Sequence, residues 1–177
     1  MDKFSLTSLK KTLDTKTKQE LIKEISTLCK TFPQVKEYYQ IQESDAKSVL
    51  EKYKDIIEKE FVEGKTRGLP KARLSVAKKA VQDFKKLTKE PELLADLMLT
   101  FVESISDFNS EFGVDSEEFY VIPEEMFEKV LQLLQSNDLL SKFKERSYAI
   151  VDNATDAWGH FDSLQERYES AYGEFIR

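Results

Sequence analysis

The fold of this 177-residue chain is decided by residues 71–112, which read KARLSVAKKAVQDFKKLTKEPELLADLMLTFVESISDFNSEF. Apolar residues recur there at steps of three and four, the period of one helix face. A first helix has apolar residues at Leu74, Ala77, Val81, Phe84 and Leu87, and a second, which Pro91 begins, has them at Leu94, Leu97, Phe101, Ile105, Phe108 and Phe112. Because the connection between the two runs is brief, they predict an antiparallel helix pair.

The same period continues toward the N-terminus. Thr17 and Glu20 have the spacing of a capping box, in which the side chain of each residue accepts a hydrogen bond from the backbone N–H group of the other. The apolar stripe of the helix that follows includes Cys29 and ends before Pro33. We therefore expect Cys29 to lie in the core.

Residue types mark further helix starts and one loop. Ser44 or Asp45 can cap a long helix, and residues 63–69, which contain two of the five glycines, form the clearest loop. Pro123 is suited to the first turn of another helix, and a last helix is expected from about Asp156. The pattern predicts an all-α fold of about seven to nine helices, either a bundle or a short stack of antiparallel pairs.

Composition indicates one helical domain spanning residues 1–177. Hydrophobic residues make up 40% of the chain, with only 5 Gly and 4 Pro, which is typical of a packed helical protein. The single cysteine cannot form an intrachain disulfide, and the most apolar stretch, residues 93–102, is too short to cross a membrane. No apolar run resembles a signal peptide, so a cytoplasmic location is expected.

Charge is distributed unevenly along the chain. The net charge is -6, but residues 65–89 carry nine basic side chains against one acid, Asp83. Residues 90–128 carry twelve acidic side chains and no lysine or arginine. The sequence leaves open whether the basic segment is free or is matched by the acids of residues 90–128.

Five lysines of the basic segment are candidates for contact with nucleic acid or a phosphate ligand. They are Lys71, Lys78, Lys79, Lys85 and Lys86, which helical projection places opposite the apolar stripe. No aromatic residues are interleaved with them, so the signal is electrostatic only. The alternative is that these lysines only face solvent, or that the acids of residues 90–128 offset their charge.

Arg73 differs from these lysines because helical projection places it on the apolar side, near Leu74 and Ala77. A charge in that position requires a partner. We expect Arg73 either to form a buried ion pair with an acid of the following helices or to contact an anionic ligand.

No catalytic, cofactor-binding or metal-binding residues are predicted, and no cofactor is implied. His160 is the single histidine, and we expect it to be a packed or capping residue near Trp158. Glu103, Asp107 and Glu111 follow one another at steps of four, a pattern more typical of a solvated helix face than of a cation site.

Three stretches carry a resemblance to a known family: VKEYY at 35–39, KARLSVAKKA at 71–80 and ELLADLM at 92–98. They resemble DUF6155, a family of uncharacterised bacterial proteins, and the similarity extends to FKER at 143–146 and to Trp158 with Gly159. The resemblance implies a small bacterial helical protein and brings no activity. The order of His160 and Phe161 is exchanged relative to the family's ending, which argues against a special role for His160.

These observations favour a non-enzymatic protein-interaction or scaffold protein whose partner is another protein. Binding of nucleic acid or a phosphate ligand through residues 65–89 is the alternative. The third hypothesis is an enzyme whose active site combines carboxylates from distant parts of the chain with a tyrosine or His160.

Overall fold

A computed structural model describes residues 4–43, 45–62, 64–65 and 67–177. Within these ranges the chain forms nine α-helices and no strands, so the predicted all-α fold is confirmed. The helices are α1 (Leu6–Asp14), α2 (Lys18–Thr31), α3 (Pro33–Gln42), α4 (Ala46–Phe61), α5 (Leu74–Leu87), α6 (Pro91–Phe112), α7 (Glu118–Ser136), α8 (Leu140–Asp152) and α9 (His160–Tyr172), with a 3₁₀ turn at Ala157–Gly159.

Helix α6 is the centre of the structure. It packs against α4, α5, α7 and α8, and its residues Leu97, Phe101 and Ile105 are completely buried. A helix with neighbours on most sides is apolar around most of its circumference, which explains the apolar character of residues 93–102. The core that forms around it extends from Ile41 to Phe175.

The ends of α6 follow the predicted signals. Pro91 occupies the first turn, where its missing N–H group costs no hydrogen bond. Gly113 ends the helix in the left-handed conformation, with φ of 58°. The connection to α5 is brief, as expected, and the two helices pack together.

Helix α7 begins earlier than predicted. Pro123 was expected to start it, but the helix starts at Glu118 and Pro123 lies inside it. Proline cannot donate to the carbonyl four residues back, which belongs to Phe119. The side-chain amide of Asn109 on α6 donates to that carbonyl at 2.7 Å, so the lost backbone bond is replaced by a bond between helices.

Helix α5 begins later than predicted. Helical projection treated Lys71 and Arg73 as part of this helix, but it starts at Leu74. Ala72 has a φ of 53°, which is incompatible with a right-handed helix, and its N–H group donates to the carbonyl of Glu60 at 2.7 Å. Lys71 and Arg73 therefore precede the helix.

Residues 4–32, which we call the N-terminal arm, contribute nothing to the core. The capping box of Thr17 and Glu20 is confirmed, yet neither α1 nor α2 has a buried residue. The expectation that Cys29 lies in the core is wrong, because its side chain is only half-buried. Periodicity identified an apolar stripe correctly, but α2 is packed mainly on α3 and most of that stripe is left uncovered.

Of the two cap candidates for α4, Ser44 lies outside the described residues. Asp45 occupies the cap position without a side-chain hydrogen bond to the helix. Among the described helices, none combines the length and apolar character that spanning a membrane would require.

Candidate functional site

The five candidate lysines do not form one stripe. Lys71 precedes α5, and the other four fall into two rows on the helix. Lys79 and Lys86 both donate to Asp83, at 2.5 and 2.8 Å, so one acid of the same helix partly neutralises this row of lysines. The two bonds lower the pKa of Asp83.

The second row consists of Lys78 and Lys85, which have no ion pair within the described part of the chain. Both line a groove of about 640 Å³ that lies between α5 and α7 with α6 beneath it. This groove, which we call the α5–α7 groove, is the place where predicted site residues meet a concave surface.

The α5–α7 groove has an apolar floor and polar rims. Val81, Leu94 and Met98 form the floor, while Met126 and Leu133 from α7 form part of the opposite wall. On the α7 rim, Lys129 donates to Glu125 at 3.2 Å, so the two charges there offset each other. The two free charges of the groove are therefore positive and lie on the α5 side.

Arg73 forms an ion pair, but not with the helices that follow it. Its guanidinium donates to both carboxylate oxygens of Glu60 on α4, at 2.8 and 2.5 Å. The carboxylate is the buried member, with 6% of its side chain exposed against 53% for the arginine. The hydrogen bonds from Arg73 lower the pKa of Glu60, so the pair fastens the start of α5 to α4.

The acids of residues 90–128 that form ion pairs do so with cations outside the basic segment. Arg146 on α8 donates to Asp96 at 2.5 Å and to both oxygens of Glu103 at 2.6 Å. Lys54 on α4 donates to Asp96 at 3.0 Å, and Lys142 pairs with Glu92 at 2.7 Å. Within the described ranges, no ion pair joins residues 65–89 to residues 90–128.

Arg146 lies in a cleft of about 530 Å³ between α4, α6 and α8. Other polar side chains that line it include Glu58, Lys65, Glu103, Ser106, Asp107 and Asn153. The expectation of a solvated row therefore fails for Glu103, which Arg146 binds. Among the described residues, no three metal-ligating side chains come together in a way that could hold an ion.

Asp107 is the titratable group of this cleft whose surroundings oppose its charge. Packing around the carboxyl and, to a lesser degree, the neighbouring Glu103 raise the pKa of Asp107. A carboxyl with a raised pKa destabilises the fold once pH rises through its titration range, because ionisation is harder in the folded state than in the unfolded chain.

Although neighbouring groups crowd the carboxyl, Asp107 keeps enough surface in water to count as exposed, so solvent screens the effect. We therefore expect Asp107→Asn to stabilise the protein at pH 7 by less than about 1 kcal/mol. The difference should vanish near pH 3, where the carboxyl is protonated in both states. Urea unfolding of the two proteins at both pH values measures this. A variant that is less stable than the wild type at pH 7 contradicts the assignment.

His160 is completely buried and connects three helices. Its Nδ1 lies 2.8 Å from Oε1 of Glu124 on α7, and its Nε2 lies 2.9 Å from Oγ of Ser106 on α6. The second oxygen of Glu124 accepts from Ser163 at 2.6 Å. A neutral ring with its proton on Nδ1 can donate to Glu124 and accept from Ser106, so each polar atom of the ring has a partner.

Serine, histidine and carboxylate in this order also occur in nucleophilic active sites. Here, however, the fold encloses all three groups: Ser106 is 2% exposed, His160 0% and Glu124 9%. Ser106 reaches the wall of the cleft but presents almost no surface to it. The arrangement is therefore suited to holding α6, α7 and α9 together, and sequence reasoning missed it because its members are far apart in the chain.

Comparison with known proteins identifies a family but no activity. The model of the family of unknown function DUF6155 matches residues 4–171. No curated protein and no solved structure matches the chain.

Proposed function

Because the chain belongs to DUF6155, a family of unknown function, we propose a function from its geometry: the protein binds an acidic amphipathic helix of a partner protein in the α5–α7 groove. One observation carries the proposal. Lys78 and Lys85, without ion pairs among the described residues, stand on one rim of a groove whose floor is apolar.

The floor explains how a helix would be held. An amphipathic helix places apolar side chains at steps of three and four into such a groove, where burial of their surface drives binding. The two methionines on the groove, Met98 and Met126, have flexible and polarisable side chains that adapt to different apolar partners.

The rim explains which helix would be preferred. Lys78 and Lys85 are seven residues apart, which is two turns or about 10 Å along α5. Acidic residues with the same spacing on a bound helix would face both ammonium groups. A helix with basic residues on that flank would meet like charges and would be rejected.

The nucleic-acid alternative has less support. It requires a row of cations free to neutralise successive phosphates. Asp83 pairs with Lys79 and Lys86, Glu58 pairs with Lys65, and Glu60 pairs with Arg73. Arg67, Lys71 and Lys89 have no ion pair among the described residues, but they lie outside α5 and do not extend the row of Lys78 and Lys85. Two free lysines over an apolar floor suit a helix better than a phosphate backbone.

The test uses a labelled helical peptide with a leucine stripe and glutamates along one flank, titrated with the full chain by fluorescence anisotropy. We expect saturable binding that weakens by about 10-fold or more in Lys78→Glu/Lys85→Glu, because both favourable charges become repulsive. A peptide of the same design with lysines in place of glutamates should bind weakly or not at all.

The matched control is Lys79→Glu/Lys86→Glu, which changes net charge by the same amount on the other row. It should leave peptide binding within about two-fold of the wild type. Equal losses in the two variants would show that only overall charge matters, and the groove proposal would be dropped. Labelled duplex DNA and RNA, measured in parallel, test the alternative.

We propose that this binding takes place in a bacterial cytoplasm. The resemblance to a bacterial family and the unpaired Cys29 support that location. The partner helix should accordingly be sought among cytoplasmic proteins of the organism that produces this protein.

A further inference from the structure

The N-terminal arm displays apolar side chains that the rest of the described chain does not cover. In α2, Ile22 is 54% exposed and Ile25 is 40% exposed, and Phe32, which follows the helix, is 49% exposed. Leu6, the first residue of α1, is 71% exposed. Helices as short as α1 and α2 are marginal unless an apolar face is packed. A partner surface that covers this face would therefore stabilise the arm.

The arm is also basic. Residues 4–32 carry six lysines and three acids in a chain whose net charge is -6. A surface that covers the arm should therefore be apolar and acidic. This requirement excludes the α5–α7 groove, whose free charges are positive.

A surface of that kind lies at the α6–α7 end of the same protein. Three apolar side chains are exposed there, Phe112 and Val121 at 39% each and Trp158 at 57%. Three acidic residues lie between Phe112 and Val121 in the sequence: Asp115, Glu117 and Glu118. All three are exposed and have no ion pair within the described part of the chain. We call these six residues the acidic cap.

The fold holds the tryptophan of the acidic cap in place. Trp158 has a left-handed backbone with φ of 56°, and its ring stacks on Tyr120 with centroids 6.0 Å apart. Tyr120 is buried, and its hydroxyl donates to the carbonyl of Val114 at 2.8 Å. An exposed aromatic ring that is fixed in advance loses little conformational freedom on binding.

We propose that the N-terminal arm of one copy docks on the acidic cap of a second copy. The two surfaces are complementary in charge, both present exposed apolar side chains, and no described residue of the same chain covers either of them. The contact joins different patches of two identical molecules, so it differs from a face that pairs with itself. It is independent of the α5–α7 groove, and either proposal can fail alone.

Two double variants of the full chain test the contact. Ile22→Asp/Ile25→Asp impairs the arm, and Val121→Lys/Trp158→Lys impairs the acidic cap; circular dichroism checks that both fold. Sedimentation velocity at about 10 to 100 µM should show self-association of the wild type that weakens as salt rises. Each variant alone should be monomeric at the same concentrations.

The decisive sample is an equimolar mixture of the two variants. Each contributes one intact surface, so the mixture should form a one-to-one complex while neither component self-associates. Ile176→Asp, which changes an apolar side chain that is 71% exposed elsewhere, should associate like the wild type. A monomeric wild type, an arm variant that still associates, or a mixture that stays monomeric would each overturn the proposal.

Discussion

Replacing His160 with alanine is expected to lower the free energy of unfolding by about 3 to 5 kcal/mol. The side chain is completely buried, and its two ring nitrogens bond Ser106 and Glu124. Alanine leaves a cavity, and it also leaves a carboxylate that is 9% exposed with one of its two hydrogen-bond partners removed. Both effects act in the same direction.

Urea unfolding monitored by circular dichroism measures this change. Ser163→Ala is the matched control, because it removes the other hydrogen bond to the same carboxylate without opening a comparable cavity. Arg167 also loses the Ser163 hydroxyl as an acceptor but keeps the Ser163 carbonyl, so the variant should cost about 1 kcal/mol. In a double-mutant cycle, His160→Ala and Glu124→Gln should show a coupling of about 1 kcal/mol or more. A loss below about 1 kcal/mol for His160→Ala would contradict a structural role for this network.

The second large effect is expected at Arg146. Arg146→Met should cost about 2 to 3 kcal/mol, because the guanidinium is the shared partner of Asp96 and Glu103. Methionine preserves most of the apolar stem, so the loss reports mainly on the charge. The figure lies below that for a fully buried pair because 28% of the arginine side chain is exposed.

Lys142→Met on the same helix provides the comparison. Lys142 pairs with Glu92, but 57% of its side chain is exposed, and such pairs contribute less than about 1 kcal/mol. Chemical unfolding of both variants at low and high salt should show a loss for Arg146→Met that salt reduces only slightly. If the two variants are equally stable, the cluster around Arg146 contributes no more than an ordinary surface pair.

The fold could be predicted from the sequence where local signals and burial agree. Helix α6 has a proline at its start, a glycine at its end and an apolar pattern that its neighbours cover. The start of α7 could not be predicted, since Pro123 lies inside the helix, where Asn109 donates to the carbonyl that the proline leaves free. That contact depends on how α6 and α7 pack against each other, and a local sequence pattern does not predict helix packing.

The candidate site was predictable in part. The sequence indicated the lysines of α5, and the positions of Asp83 at i+4 from Lys79 and i-3 from Lys86 could have shown which row is neutralised. The groove beside Lys78 and Lys85 could not be foreseen, because α7 supplies its far wall. Periodicity likewise identified the apolar stripe of α2 without showing that the described residues leave most of it exposed.

The bond from Asn109 to the carbonyl of Phe119 has a consequence for how the family can change over time. A residue other than proline at position 123 would donate its own N–H group to that carbonyl, and the amide at position 109 would become dispensable. The oxygen of the Asn109 amide is buried without a hydrogen-bond partner in the described structure, so keeping the amide carries a cost once its donor is not needed. Substitutions at positions 109 and 123 should therefore be coupled among relatives, with loss of the proline opening the way to an apolar residue at position 109.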